Sequence, residues 1–307
     1  IFASLYCFEF YLGSDFKDYK LNERIKAYEK KTNKKYDKRK KIVAYKELKK
    51  KNSNLANTVT PKTYALYPEK DIMPLSGKSN SKTIVCNENG YYSIFKSDRF
   101  GFNNPDQEWD KDEIEYFLTG DSFAMGACVN RPYDFGSVLR NLSGKAVLTL
   151  GYASNGPLIE HAVLREYLDS RVKNVLWIYY EGNDLDDLQL TSKNKILNKY
   201  LLDKNFKQNL KSKQTEINRI NKERVETAIT YLDDRRKKYK ILRFIRLDKT
   251  KNFIKKITNP PKELIFNEKI LIRFKKILEM SRDLAKDNGA KFYFVYLPTY
   301  DSLESEN

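Results

Sequence analysis

Four short apolar runs decide the class of fold. Tyr116–Thr119, Ala146–Leu150, Asn174–Tyr180 and Lys291–Leu297 are almost continuous in Val, Ile, Leu, Phe, Tyr and Trp. Stretches with apolar residues at helical spacing lie between them: Phe123–Leu139, Leu158–Asp169 and Glu268–Lys286, the last closing at Asn288-Gly289 as a helix C-cap does. A strand without polar alternation is buried on both faces, and such strands alternating with helices make a parallel sheet covered on both sides. The pattern therefore predicts an α/β protein, a three-layer α/β/α sandwich. At 307 residues, 40% of them hydrophobic, the chain holds enough apolar mass for one large domain or two small ones. A disordered chain, a collagen-like fibre and a disulfide mini-protein are excluded.

The flanking segments are different. Ile1–Leu12 is apolar apart from Glu9; at twelve residues it is short of the roughly 20 a spanning helix needs, and it reads as the remnant of a signal anchor. Asp15–Asn54 is a Lys-rich stretch with loose helical spacing, suited to a solvated helix or to anionic headgroups. Its lysines outnumber its arginines, which disfavours nucleic acid as the partner. Residues 55–81 read as a linker or irregular wrap, and Lys82–Cys86 with Tyr91–Phe95 as a hairpin about Asn87-Glu88-Asn89-Gly90. Leu185–Pro261 reads as a long polar helical insertion whose Leu and Ile stripe packs and whose charges face water.

The chemistry gathers where three of the strands end. The loops after the first three carry Gly120-Asp121-Ser122, Ser154-Asn155-Gly156-Pro157 and Gly182-Asn183-Asp184, and ligands of open parallel sheets bind outside the carboxyl ends of the strands. Ser122 stands between a strand end and a helix N-terminus, where backbone N–H groups favour a developing negative charge. Asn183 offers a side-chain amide, and the second loop offers backbone N–H. Together these are the parts of an oxyanion hole, in which one donor is worth about 3 kcal/mol.

At these residues the chain resembles the SGNH/GDSL hydrolase family of serine esterases and acyl-transferring enzymes. The first family block is matched by Gly120-Asp121-Ser122-Phe123, with Phe123 in place of Leu. Asn183-Asp184 match the third block, Gly-x-Asn-Asp, although Glu181 replaces its first Gly and Gly182 follows. In the second block Ser154 stands on the usual Gly position and Gly156 comes two residues later. The likeness runs through residues 96–190, including Phe100–Asp106, Gly156–Glu160 and Leu176–Leu185, and is similar to a membrane-anchored bacterial subgroup acting on acyl groups of surface polysaccharides. It implies a flavodoxin-like sheet, Ser122 as nucleophile, and Ser122, Ser154, Gly156 and Asn183 as the oxyanion hole, supported by Gly120, Asp121, Gly182 and Asp184. It implies no cofactor. The implied organisation is an anchor remnant at 1–13, a basic arm and linker at 14–81, and a hydrolase-like domain at 82–307 with its insertion at 185–261. The domain would face the periplasm from the inner membrane, held by the N-terminal helix, with an acylated carbohydrate or other small ester as substrate.

The single histidine, His161, limits the mechanism. A serine hydroxyl needs a general base, and the family supplies it from an Asp-x-x-His block after a fifth strand. No Asp-x-x-His occurs in these residues. The expectation is a fragment that lacks the last strand and helix and has little turnover; a non-catalytic glycan-binding or assembly protein and an O-acyltransferase are the alternatives. One histidine and three cysteines leave no zinc site, and Asp184, Asp186 and Asp187 read as a solvated rim. A Cys86–Cys128 bridge stays open, and would suit an extracytoplasmic protein.

Overall fold

The computed structural model describes residues 2–13, 19–68, 72–258 and 268–304. The expected end of the insertion at 261 lies outside them. The first helices are α1 (Phe2–Gly13), α2 (Tyr19–Thr32) and α3 (Lys41–Lys51), followed by β1 (Leu55–Asn57) and α4 (Pro61–Leu66). Next come β2 (Lys82–Ile84), β3 (Ile94–Lys96) and β4 (Ile114–Gly120). The central part alternates α5 (Ser122–Met125), α6 (Phe135–Ser143), β5 (Val147–Thr149), α7 (Pro157–Tyr167), β6 (Val172–Tyr180), α8 (Asp184–Thr191) and α9 (Lys195–Leu202). The long α10 (Gln214–Ile245), α11 (Asp248–Thr258), α12 (Glu268–Asp287), β7 (Lys291–Leu297) and α13 (Tyr300–Glu304) complete the order.

The chain divides into two compact units: residues 1–38 with 224–267, and residues 39–223 with 268–307, the division falling inside α10. In the larger unit all four apolar runs form one parallel sheet in the order β5-β4-β6-β7. Side chains alternate across it, as the pleat requires. Phe117, Leu148, Val175, Trp177 and Tyr179 enter a core shared with Leu158, Ile159, Ala162 and Val163 of α7 and Ile277 of α12. On the opposite face Leu118, Val147 and Ile178 meet Ala124 of α5, with Leu139 of α6 packed against them. Every residue of α7 is buried, which matches its mixed, weakly amphipathic sequence. Each Leu, Ile or Val so enclosed contributes about 2 kcal/mol.

Three expectations change. The helix expected over Phe123–Leu139 is two helices. Gly126 is left-handed (φ 68°), and a Cβ there would lie 2.3 Å from the Asp134 Cβ; Asp134 then caps α6 by accepting from Ser137 N at 2.9 Å. Residues 55–81 are not wholly linker. β1 adds parallel to β2, which pairs antiparallel with β3, so part of the segment is a sheet strand and Arg39 onward belongs to the larger unit. The stretch read as an insertion also supplies core: Leu197, Tyr200, Leu210 and Ile217 are fully buried. The C-cap at Gly289 forms as expected, with φ 79° and Ala290 N donating to Ala285 O.

In the smaller unit, α1 packs on α11 and on the end of α10 through Phe8–Phe253 and Tyr6–Phe244 ring contacts. Among the described residues no helix is long and apolar enough to cross a membrane.

Candidate active site

A sheet ordered β5-β4-β6-β7 reverses its winding between β4 and β6, because the chain leaves β4 to one side and returns to the other. The crevice at that point is where open α/β sheets hold ligands. Gly120, the last residue of β4, is in register with Ile178 of β6, so the Ser122 and Asn183 loops leave the sheet side by side.

Three glycines explain how the loops close on one another. A Cβ on Gly120 would lie 2.6 Å from Ile178 O, so only glycine lets the first loop leave β4 this close to β6. On Gly151 it would lie 2.4 Å from the Ala124 Cβ and 2.7 Å from Met125 N, which places the second loop against α5. On Gly156 it would lie 2.8 Å from the Asp187 Cβ and 2.9 Å from Leu188 N, which places the same loop against α8. The second loop is thus wedged between the helices that follow Ser122 and Asn183. Phe123 and Tyr180 close the third side, with ring centroids 4.7 Å apart.

Ser122, Ser154 and Asn183 are half-buried and reachable, whereas Asp121, Asn155 and Gly156 are buried. Asp121 organises the first turn. Its Oδ1 accepts from Phe123 N at 2.8 Å and its Oδ2 from Ser122 Oγ at 3.2 Å. Burial pushes its carboxyl up, and hydrogen bonds from Phe123 N, Ser122 and the Asn183 side chain act against the rise. The third loop therefore reaches the first. Ser154 has φ +62°, the left-handed region that glycine favours, and Asn155 N is used in the turn by donating to Tyr152 O.

Below the loops lies a layer of buried acids, so the solvated rim expected at Asp184, Asp186 and Asp187 is corrected for two of the three. Asp184 Oδ2 accepts from Tyr180 N at 2.8 Å, and Asp187 pairs with Lys62 Nζ at 2.7 Å. Burial, then the charge of Asp121, pushes the Asp184 carboxyl up to about 8. Glu160, fully buried on the first turn of α7, is raised well above the carboxylate range by burial and by the charges of Asp184 and Asp121. Among the described residues no group of His, Cys, Asp and Glu has the arrangement to hold a metal ion.

His161 faces away from this chemistry. Its Nδ1 lies 2.7 Å from Ser281 Oγ on α12, and Ser281 already donates to Ile277 O at 2.8 Å. Burial, with the Arg165 charge, pushes the imidazole down to about 3, so it is neutral at ordinary pH and joins two helices.

Sequence reasoning passed over the support around the site. Asp98 is buried and accepts from Phe100 N, Phe102 N, Asn104 Nδ2 and Trp109 Nε1. Asn104 also exchanges hydrogen bonds with both Thr149 backbone groups, at 2.8 and 2.9 Å, standing where a further strand would pair with β5. Asn103 Nδ2 donates to Met125 O at the end of α5. Only the density of Asp and Asn in 97–106 hinted at this knot. Glu181, where the family pattern has Gly, accepts from Thr299 N and Ser302 Oγ and so ties the third loop to α13. Cys86 and Cys128 form a disulfide. No family model, curated protein or solved structure matches the chain.

Proposed function

We propose that this chain carries the nucleophile and oxyanion hole of an SGNH-type serine esterase acting on O-acyl, chiefly acetyl, esters of a surface carbohydrate. The observation that carries the reading is the meeting of Ser122, Ser154 and Asn183 at the winding reversal of the sheet, each reachable and each on a loop fixed by a close-packed glycine or a buried acid. The left-handed backbone at Ser154 supports the alignment that places it on a family glycine.

In this mechanism Ser122 Oγ attacks the acyl carbonyl carbon as its proton passes to a histidine. The oxyanion accepts from the Ser122 N–H, from Ser154 or Gly156 N–H, and from the Asn183 side-chain amide. Of the second-loop donors, Ser154 is the more accessible. The alkoxide leaves with the histidine proton, and water, or a sugar hydroxyl in the transferase variant, then attacks the acyl-enzyme. Asp121 holds Oγ until the base takes that place. The base is assigned to an Asp-x-x-His block outside these 307 residues, because His161 is committed to Ser281. A periplasmic domain held by an N-terminal helix completes the proposal, and the Cys86–Cys128 bridge suits that compartment.

The test compares the full gene product with its Ser122→Ala variant on an acetylated sugar ester. Parent turnover with a loss of about a thousandfold or more in the variant is expected, and the 307-residue chain alone should turn over little. Equal rates in parent and variant would remove Ser122 as nucleophile. The burial of the only histidine favours a second reading, a glycan-binding or assembly protein that retains the fold. Acetylated-glycan binding by a full product without turnover would establish it.

A further inference from the structure

α1 is apolar on every side except at Glu9, and a helix of that kind belongs in a core or in lipid. Its inner face is satisfied. Glu9 accepts from Lys249 N at 3.0 Å and from Thr250 N and Oγ1 at 2.7 and 2.8 Å, capping α11, so the one charge of the helix is hidden. Its outer face is open, with Phe10 69% exposed. The helices it packs on repeat the pattern. Ile254 and Ile257, three residues apart on one face of α11, are 51% and 65% exposed, and Ile241 and Ile245, one turn apart on α10, are 63% and 56% exposed. Single exposed apolar residues need no explanation, but a group such as this in one small helical unit does.

Charge indicates what covers them. Among the described side chains between Ile241 and Thr258 the exposed cations are Arg243, Arg246, Lys249, Lys251 and Lys255, and the single acid in the segment, Asp248, is paired with Arg243. A nucleic acid would use the cations and the rings of Phe244 and Phe253, but these rings pack on Tyr6 and Phe8 and are less exposed than the four isoleucines, for which stacking bases have no use. A second copy of the chain would bring the same positive charge against itself. An anionic bilayer uses both features: aliphatic side chains enter the acyl boundary and lysines meet the headgroups.

We propose that the Ile241–Thr258 segment of the smaller unit lies in the surface of an anionic lipid bilayer, with Ile254 and Ile257 as its apolar contacts. The proposal stands independently of the esterase reading and of anchoring by α1. The test sediments the 307-residue chain with phosphatidylcholine vesicles made with and without phosphatidylglycerol. Binding to the anionic vesicles that falls with salt is expected. Ile254→Ser with Ile257→Ser, and separately Lys251→Gln with Lys255→Gln, should each weaken it about tenfold with α1 intact. These positions are exposed, so circular dichroism should show unchanged helix content. Equal binding to both vesicle types, or anionic binding unaffected by either pair, would overturn the proposal. So would single-stranded RNA binding lost with the same isoleucines, or a dimer that the isoleucine pair dissociates without any vesicle binding.

Discussion

Glu160 occupies an unusual position for a carboxyl group: it is fully buried, with the charges of Asp184 and Asp121 raising it further and the nearby Trp177 indole N–H acting against the rise. With Asp184 it keeps a proton in the folded chain that the unfolded chain releases. The sign follows directly. A carboxyl with a raised folded pKa stabilises fully below its unfolded value, near 4 for Asp184, and that stability is lost as pH rises toward about 8. Asp98, pushed up to about 6, acts the same way over a narrower window. Each such group contributes a slope of about 1.4 kcal/mol per pH unit. His161, pushed down to about 3, acts in the opposite sense and offsets one of these slopes up to its unfolded value of 6.5. The free energy of unfolding in urea should therefore fall most steeply between about pH 6.5 and about pH 7.5, and Glu160→Gln should flatten the decline and raise the midpoint at the upper end. An unchanged slope in the variant would mean that Glu160 is ionised in the fold. At the neighbouring Asn183 the expectation is catalytic. Asn183→Ala in the full gene product should lower kcat by about a hundredfold, close to 3 kcal/mol, with a smaller change in KM; a loss confined to KM would deny it the oxyanion.

Among the elements, the strands were the most legible part of the sequence. β4, β6 and β7 fall on their apolar runs. β4 and β6 are largely buried, as an unbroken apolar run predicts, whereas β7, at the edge of the sheet, has no buried residue and leaves Tyr293, Phe294 and Tyr296 exposed, so for that strand the expected burial on both faces is corrected. The breaks were less legible. Gly126 ends α5 through a left-handed turn and contact with Asp134, a pairing set by tertiary approach and invisible to helical spacing. The 97–106 loop escaped for the same reason, since Asn104 bonds both backbone groups of Thr149, far along the chain. Ser122 and Asn183 could be named from local motifs, but the second loop that joins them could not be placed without the glycine contacts. Those contacts yield a prediction at this scale. Gly151→Ala would drive a methyl into the Ala124 Cβ and Met125 N, and Gly156→Ala into the Asp187 Cβ and Leu188 N. Each should cost about 1–3 kcal/mol as overpacking, read as a lower denaturation midpoint, whereas Gly144→Ala, where a Cβ meets nothing within 4 Å, should cost less despite its φ of +65°.

For the molecule as a whole, the net charge of +17 is carried away from the three loops, in the basic arm and the long helices, so it bears on surfaces more than on the reaction. What joins distant parts of the larger unit is covalent as well as apolar. Cys86, just after β2, is bonded to Cys128, just after the turn that ends α5, closing a loop with a sequence separation of 42. The bridge thereby fixes the small sheet to the helix that begins at Ser122. Asn89 Nδ2 donating to Cys128 O and Ile94 N donating to Asn130 Oδ1 reinforce the same junction. Closing a loop of that length removes chain entropy from the unfolded state worth about 4 kcal/mol in the polymer model. Guanidinium unfolding of the oxidised chain and of a Cys86→Ser, Cys128→Ser variant should therefore differ by about 2–4 kcal/mol, with the reduced parent matching the variant. Cys7, exposed on α1, gives a built-in control, since Cys7→Ser should leave the midpoint where it is. Because the two hydrogen bonds do not depend on the sulfurs, the reduced chain should keep its secondary structure at low denaturant. A reduced parent as stable as the oxidised one would mean that these bonds and the packing around them already hold the junction, and that the disulfide adds nothing to it.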